Sequence, residues 1–585
     1  MILQALTAYF EQLLRTGQIA APGWDHSFKV SYWLRIGPDG QLLDLVDCRQ
    51  LVPKGKKEVL APREMPVPAH VKRSSGIAAN FLCDNSTYLL GADEKGKPER
   101  SRQCFEACAA LHHKLLDGVD SPVARAILAF LDTWKPENAP SHPLLAPCWK
   151  DLTNNANLLF DYEGPEGRIL ANEDEAIQNA WQQYYSSRTP ADAATVQCLV
   201  TGKQAPAEKT HPSIKGVKDA QSSGAALVSF NAPAFCSYGH EQGENAPVSE
   251  YAAFAYTTAL NKLLADRDHC RILGDTTVVC WAENASPGYA SLGMMGMFGV
   301  PEDAGVTEDD LRKALELLAD GRPCPWLNQE MLQPGQHFYI LGLSPNAARI
   351  SVRFFLRDTF EVFAQRLQRH ADETEIVRPA NDKWALPIWA LVRETVNQNA
   401  RDKKPSPQLA GDLLRAVLTG GRYPATLLNG AVLRIRAEQS VTRGRAAILK
   451  AYYLRNEPTD INKEVFTVSL NESTNVPYIL GRLFSVLETL QEAANGTSTI
   501  RARYFNSACA TPALVFPTLL KLAQKHLQKI GGGLAVSYSQ QITGLMALVP
   551  DDGFPARLSL PDQGKFEIGY YHQTQKRYTK KNEEE

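Results

Sequence analysis

Apolar and polar positions along the chain fall into two regimes. Up to about residue 375, short alternating runs are interleaved with isolated helical stretches; beyond it the spacing is helical throughout. The opening MILQALTAYFEQLLRTG carries apolar residues at helical spacing, broken by Gln4, Glu11 and Gln12, and predicts a surface-packed helix. With no basic flank it does not read as a signal peptide. Val30, Tyr32, Leu34 and Ile36 alternate with polar positions, and Gly37-Pro38-Asp39-Gly40 turns the chain back, which predicts a β-hairpin ending near Cys48. A second hairpin is expected around 157–170, with helices over 100–116, 122–134 and 172–187. Thr276–Ala282 reads as a short buried strand, and 307–319 as an amphipathic helix with Thr307 at its N-cap. His337–Leu343 and Arg349–Leu356 read as paired strands. In the second, Ile350, Val352 and Phe354 fall on one face and Arg349, Ser351, Arg353, Phe355 and Arg357 on the other. A buried face does not hold three arginines, so that side should meet solvent or an anion.

The helical regime is punctuated by clear stops and starts. Ser406-Pro407 opens a helix closed by Gly420-Gly421, and Pro424 opens the next. Asn475 and Pro477 begin a third, and Pro512 begins a fourth that runs through Ile530 to Gly531. The expected fold class is α+β: a mixed α/β N-terminal region with antiparallel hairpins over 1–375, then an all-α helical bundle over 376–585.

Two polar segments interrupt the N-terminal pattern. Residues 53–75 are rich in Pro, Lys and Arg and end in Lys72-Arg73-Ser74-Ser75, followed by a short apolar strand set between Asn80 and Asn85. Further on, an apolar strand over Ala225–Phe230 leads into a 231–247 loop of Asn, Gly, Gln, Glu, Pro and aromatics, before helical spacing resumes at Pro247. Loops of that length in a compact domain tend to carry function. Asn231, Tyr238, His240, Gln242 and Asn245 can hydrogen-bond to a base edge or a sugar; a long structural turn is the alternative.

Composition narrows the classes. The chain has 585 residues, 44 % hydrophobic and 22 % charged, enough for two to four domains. A formal net charge of −2 excludes a protein that is basic all over, so any nucleic-acid surface must be a local patch. Residues 421–585 supply one, with 20 Lys and Arg against 14 Asp and Glu. Between Arg422 and Arg455 stand seven cations (Arg422, Arg434, Arg436, Arg443, Arg445, Lys450 and Arg455) and one acid, Glu438. Arg501 and Arg503 follow, then Lys521, Lys525 and Lys529 as a stripe at i, i+4 and i+8. Solvated faces are the alternative, but several same-sign stripes in a balanced chain point to a polyanion. No apolar run is long enough to span a membrane, and 11 cysteines without repeated spacing read as reduced cytoplasmic thiols.

Catalytic signatures are not found. Gly91 to Lys97 has the G-x-x-x-x-G-K frame but Pro98 where Mg²⁺ needs Ser or Thr, and reads as a polar turn. Cys104, Cys108 and His112 share a helix face but spread over about 12 Å, too far to share a zinc, and read as core packing. No paired-acid cluster or hydrolase motif is present, so no catalytic, metal or cofactor residues are expected. A nuclease or nucleotide hydrolase is the rival reading, and a scaffold that binds only protein a third.

Long blocks of the chain, in order, resemble one family: KRSSGIAANFLCDNSTYLLG (72–91), SFNAPAFCSYGHEQGENAPVSEYAAFAYTTALNKLL (229–264), FYILGLSPNAARISVRFF (338–355), YPATLLNGAVLRIR (423–436), ARYFNSACATPALVFPTLLKLAQKHL (502–527) and EIGYYHQTQKRY (567–578). The resemblance is to the large subunit of the subtype I-C CRISPR surveillance complex, Cascade. It implies a non-catalytic cytoplasmic subunit at or near the crRNA 5′ end, beside the Cascade backbone and crRNA-end subunits. Such a subunit reads the protospacer-adjacent motif (PAM) in double-stranded DNA, helps open the duplex into an R-loop, and recruits a helicase-nuclease. The C-terminal bundle would resemble the small subunits, which in this family can be made from an internal start. Here no Met lies between Met331 and Met546, so such a start needs a non-AUG codon, near Val465. On this resemblance Lys72, Arg73, Ser74, Ser75, Asn80, Asn85, Asn231, Tyr238, Gln242 and Asn245 are candidates to read the motif. Arg349, Arg353, Arg434, Arg436, Arg443, Arg445, Arg501, Arg503, Lys521, Lys525 and Lys529 are candidates for DNA-backbone contacts.

Overall fold

The structure is a computed structural model. It describes all residues except 20–21, 55–56, 72–75, 95–96, 155, 188–194, 380–381, 383–385, 398–399, 402–403, 457–463 and 577–585. The chain forms two compact units, one mainly of Leu3–His211 with Phe230–Tyr256, the other mainly of Pro212–Ser229 with Thr257–Glu585.

The first unit is built on a five-stranded sheet. Leu42–Asp47, Tyr32–Ile36, Asn157–Gly164 and Cys83–Asn85 lie in that order, and Gly167–Leu170 pairs back onto Asn157–Gly164. The predicted hairpins are both present, and Tyr32–Ile36 runs parallel to Asn157–Gly164. Tyr32, Leu34 and Ile36 alternate into a core shared with Leu158, Phe160 and the helices Pro98–Leu116 and Pro122–Thr133. On the other face Arg35 is buried against Asp161, its Nε 2.7 Å from Oδ2. Ser121 caps the second helix, accepting from the N–H groups of Val123 and Ala124 and donating to Asp174. His112 is a core residue with both ring nitrogens engaged. Nδ1 lies 2.8 Å from the Cys108 carbonyl and Nε2 accepts from the Leu82 N–H at 3.0 Å. Burial lowers its pKa to about 4, so the neutral ring is the one held. Trp24–Val30 pairs with Arg63–Pro68, and between Asp47 and Arg63 the chain forms a further hairpin, Gln50–Lys54 with Lys57–Ala61.

The second unit carries an antiparallel sheet in the order Cys270–Leu273, Thr276–Ala282, His337–Asn346, Arg349–Thr359. The expected strand over Ala225–Phe230 reduces to isolated bridges, Ala225 to Ile214 and Ala226 to Arg349. The facing expected for Arg349–Leu356 is also corrected. Gly342 stands opposite Phe354 but Leu343 opposite Val352, leaving Arg353 as the extra residue of a β-bulge. The bulge inverts the alternation. Phe354 joins the core with Val278, Cys280, Phe338 and Ile340, while Phe355 stacks with Trp281 and Tyr339. Arg349 and Arg357 therefore lie on opposite faces, and no arginine row forms.

Glu308–Ala319 starts at Thr307 in a reciprocal cap with Asp310, as its sequence predicts. From Phe360–Thr374 onward the described elements are helical, and one core cluster runs from Leu273 to Tyr571. Pro407–Thr419 closes on Gly420 in the left-handed region (φ 68°), and Val476–Asn495 is capped by Asn475. The bundle centre is the crossing of Val476–Asn495 with Leu560–Gln575. At Gly481 an added Cβ would lie 1.9 Å from the Phe566 carbonyl oxygen, and at Gly569 it would lie 2.1 Å from that of Tyr478. The two backbones touch because each helix places a glycine where the other passes.

Candidate nucleic-acid interface

The 231–247 loop is a built object. Tyr238 and Gly239 both have positive φ (56° and 77°), and the His240 N–H closes the turn onto the Ser237 carbonyl at 3.0 Å. That is a type I′ turn, in which a non-glycine residue at the first central position is strained unless its surroundings fix it. Asn245 does the fixing. Its Oδ1 accepts from the Ser237 N–H at 2.9 Å, and its Nδ2 donates to the carbonyls of His240 (3.2 Å) and Gln242 (3.0 Å). Glu241 and Glu244 form a reciprocal cap over the short helix Gln242–Asn245, and Gly243 is pressed against the Glu208 carbonyl with no room for a side chain. The result is a stiff loop whose tip presents the Tyr238 ring at 98 % exposure. Asn231 and Gln242 are exposed on the same loop, as is half of Phe235, which the sequence reading passed over among the loop's aromatics. Asn245 holds the loop's shape, and its amide is spent on that.

Asn80 has a similar part in the other polar segment. Its Oδ1 accepts from the Val71 N–H at 2.9 Å and its Nδ2 lies 3.1 Å from His70 Nδ1, so it fastens the two ends of the 70–80 segment. Lys72, Arg73, Ser74 and Ser75 lie outside the described residues. Asn85 sits at the start of the short helix Ser86–Leu89, with its Oδ1 buried and unpartnered among the described residues.

The cations of 422–455 separate sharply. Arg445 is enclosed, bonded to Glu438, to the Ser440 carbonyl at 2.9 Å and to Glu394 at 3.4 Å. Arg443 is mostly buried 3.8 Å from Asp382, and burial lowers its pKa. Both guanidiniums are thus engaged by carboxylates of the bundle, Arg445 fully enclosed and Arg443 about one-tenth exposed. Lys450 and Arg455 are also interior. Lys450 Nζ donates to the carbonyls of Asp372 (2.8 Å) and Glu373 (3.1 Å), capping the C-terminal end of Phe360–Thr374, and burial lowers its pKa to about 8. Arg455 pairs with Glu373 at 2.6 Å and stacks over Tyr423.

Other cations face outward. Arg434 is partly exposed 3.7 Å from Glu438, Arg436 is exposed and donates to Gln563, and Arg501 is half exposed near Glu488. Arg503 is exposed, and Arg353 forms an exposed pair with Asp275 at 2.9 Å. Arg349 is half-buried, with its backbone bridged to Ala226. Lys521, Lys525 and Lys529 line one exposed side of Pro512–Ile530, and Lys529 donates to Asn495. The described loop candidates thus lie in the first unit, the lysine stripe lies on one helix of the second, and Arg443 and Arg445 are engaged within the bundle.

Among the described residues no group of three or more His, Cys, Asp or Glu is placed to hold a metal ion, and no helix is long and apolar enough to cross a membrane. No curated protein matches the chain. The family model described as CRISPR-associated protein (Cas_Csd1) matches residues 6–578, nearly the whole length. The chain belongs to the Cas_Csd1 family of CRISPR-associated proteins.

Proposed function

We propose that the chain is the large subunit of a subtype I-C Cascade complex, reading the protospacer-adjacent motif in double-stranded DNA and helping to open the duplex beside it. The observation that carries this reading is the stiff 231–247 loop with Tyr238 at its tip. An exposed ring on a braced turn can insert at a base step, and unstacking costs a few kcal/mol that a preorganised wedge offsets best. Asn231 and Gln242 are exposed on the same loop, where amides can meet base edges. Guide pairing reads the remaining sequence in a complex of this kind, so the protein needs only a short motif and a hold on backbones; the handling of a different CRISPR effector follows the same logic. Family membership supports the setting.

On this reading the chain sits near the 5′ end of the crRNA against backbone and crRNA-end subunits in the cytoplasm. It hands the displaced strand to a helicase-nuclease and does no cutting itself. The C-terminal bundle is also made separately as a small subunit, from a non-AUG start near Val465. Mass spectrometry of the purified complex checks that product, and its absence refutes the internal start.

The test of the main reading uses duplexes with 2-aminopurine at the first base pair beside the motif. The assembled complex should bind and open motif-bearing duplex, and Tyr238→Ala should reduce opening more than binding. A complex that lacks the chain yet still selects by the flanking base pairs refutes the proposal. Mg²⁺-dependent cleavage by the chain alone would favour the enzyme reading.

A further inference from the structure

Strands Leu42–Asp47 and Arg63–Pro68 are each built into a sheet, and between them the chain leaves as a ribbon of two strands, Gln50–Lys54 and Lys57–Ala61. Cross-strand partners share a face and successive positions alternate. Leu51 and Leu60 therefore stand together on one face, and Val52 and Val59 on the other. All four are in solvent, at 64 %, 57 %, 37 % and 36 % exposure. Among the described residues neither strand has a further strand beside it. An isolated two-stranded ribbon is marginal in water, and aliphatic side chains bare on both faces mark a surface that something encloses.

The ribbon is also held rigidly at its root. Arg49, just before it, places Nη2 2.7 Å from Asp47 and Nη1 3.3 Å from Asp151, with its guanidinium over the Tyr32 ring at 5.0 Å. Arg63, just after it, lies over the Trp33 ring at 5.9 Å. Two cation–aromatic contacts to neighbouring residues of one strand thus fix where the ribbon departs. A segment built only to connect two strands has no need of this.

We propose that the strands Gln50–Lys54 and Lys57–Ala61 are a docking arm, gripped on both faces by one protein subunit of the ribonucleoprotein complex. The partner's cleft has apolar walls for the Leu51–Leu60 and Val52–Val59 pairs, and a net negative charge to suit the excess of Lys and Arg in the arm's sequence. The inference rests on the chain being a subunit of such a complex. Chemistry selects a protein over a nucleic acid: the bare pairs are aliphatic, without aromatic rings to stack on bases or amides to read them. Charge selects a different chain over a second copy. Residues 49–64 carry five Lys and Arg against two Glu, so two such arms repel, whereas an acidic cleft attracts one.

The test places the photoreactive residue p-benzoylphenylalanine at position 52 or 60 of the full chain, assembled with guide RNA and the co-expressed complex subunits. Both positions should cross-link to the same protein subunit, although they face opposite ways. Cross-links only to RNA or DNA, cross-links to a second copy, or no cross-link in the assembled particle overturns the arm. Independently, the double variant Leu51→Ser, Leu60→Ser should lower retention in the particle by at least about tenfold on gel filtration. Its free-chain melting temperature should match wild type, because both side chains are in solvent. Equal retention of variant and wild type overturns the arm alone. A wild-type chain that never enters the particle overturns the functional reading and the arm with it.

Discussion

What lies within hydrogen-bonding reach decides the role of each cation in residues 422–455. Arg445 replaces water with Glu438, Glu394 and a carbonyl, so removing it empties an enclosed site and takes the closest cation from two half-buried carboxylates. Arg445→Ala should cost about 3–5 kcal/mol, seen as a lowered urea midpoint. Lys525→Gln, on an exposed face, should stay within about 0.5 kcal/mol of wild type. Sequence could not make this distinction, since a buried and a solvated arginine are the same letter. The same holds for Asn80 and Asn245, whose amides looked free to read a base and instead brace their own loops. Glu567 is a third buried group, pushed up to about 8 by burial, with the Arg436 charge acting against the rise. Its proton is bound in the folded chain and lost in the unfolded one between pH 4.5 and 8. That contribution is complete below pH 4.5 and is lost as pH rises through 8. Glu567→Gln removes this dependence. The stability of wild type relative to the variant should therefore fall on going from pH 5 to pH 7.5, by at most about 1.4 kcal/mol per unit. Urea titrations at the two pH values check the sign. His370 and His572, lowered by burial to about 3, act in the opposite sense. Their contribution is present above pH 6.5 and is lost as pH falls toward 3.

Elements were legible where local chemistry decides them. Thr307, Asn475 and Gly420 marked helix ends that the structure keeps, because caps are satisfied by near neighbours. The bulge at Arg353 was not legible: one unpaired residue changes no composition yet turns every later side chain over. The ribbon of Gln50–Lys54 and Lys57–Ala61 was hidden for a different reason, since Pro53 and the lysines around it give a segment rich in Pro, Lys and Arg with no strand signature. The glycine crossing gives the sharpest test at this scale. Alanine at Gly481 or Gly569 meets a carbonyl oxygen of the opposite helix, and each should cost about 3 kcal/mol or prevent folding. Gly544 lies within Gly532–Met546 with nothing within 4 Å of an added Cβ. Gly544→Ala should therefore stabilise, by up to about 1 kcal/mol. Denaturant midpoints of the three variants decide it.

For the whole molecule the balance of charge matters more than its sum. A chain of net −2 keeps an uninterrupted row of exposed lysines on Pro512–Ile530 while folding other cations, Arg35, Arg445 and Lys450 among them, inside. If each of Lys521, Lys525 and Lys529 meets one phosphate, replacing all three by Gln should reduce the slope of log K against log salt by about 2.7. Affinity should fall alike for every sequence. Tyr238→Ala should leave that slope unchanged while weakening duplex opening, so titrations at several salt concentrations separate grip from wedge. The helix Leu560–Gln575 has a further consequence. Its residues Gly564–His572 are all interior, and its backbone is wedged against Gly481. The ribosome makes this central rod after every other described helix of the bundle. Until it emerges, Val476–Asn495 lacks the partner it is shaped for, so the nascent bundle must wait half-assembled, dependent on chaperones. A polypeptide terminated before residue 560 would be left in that state and cleared by proteases.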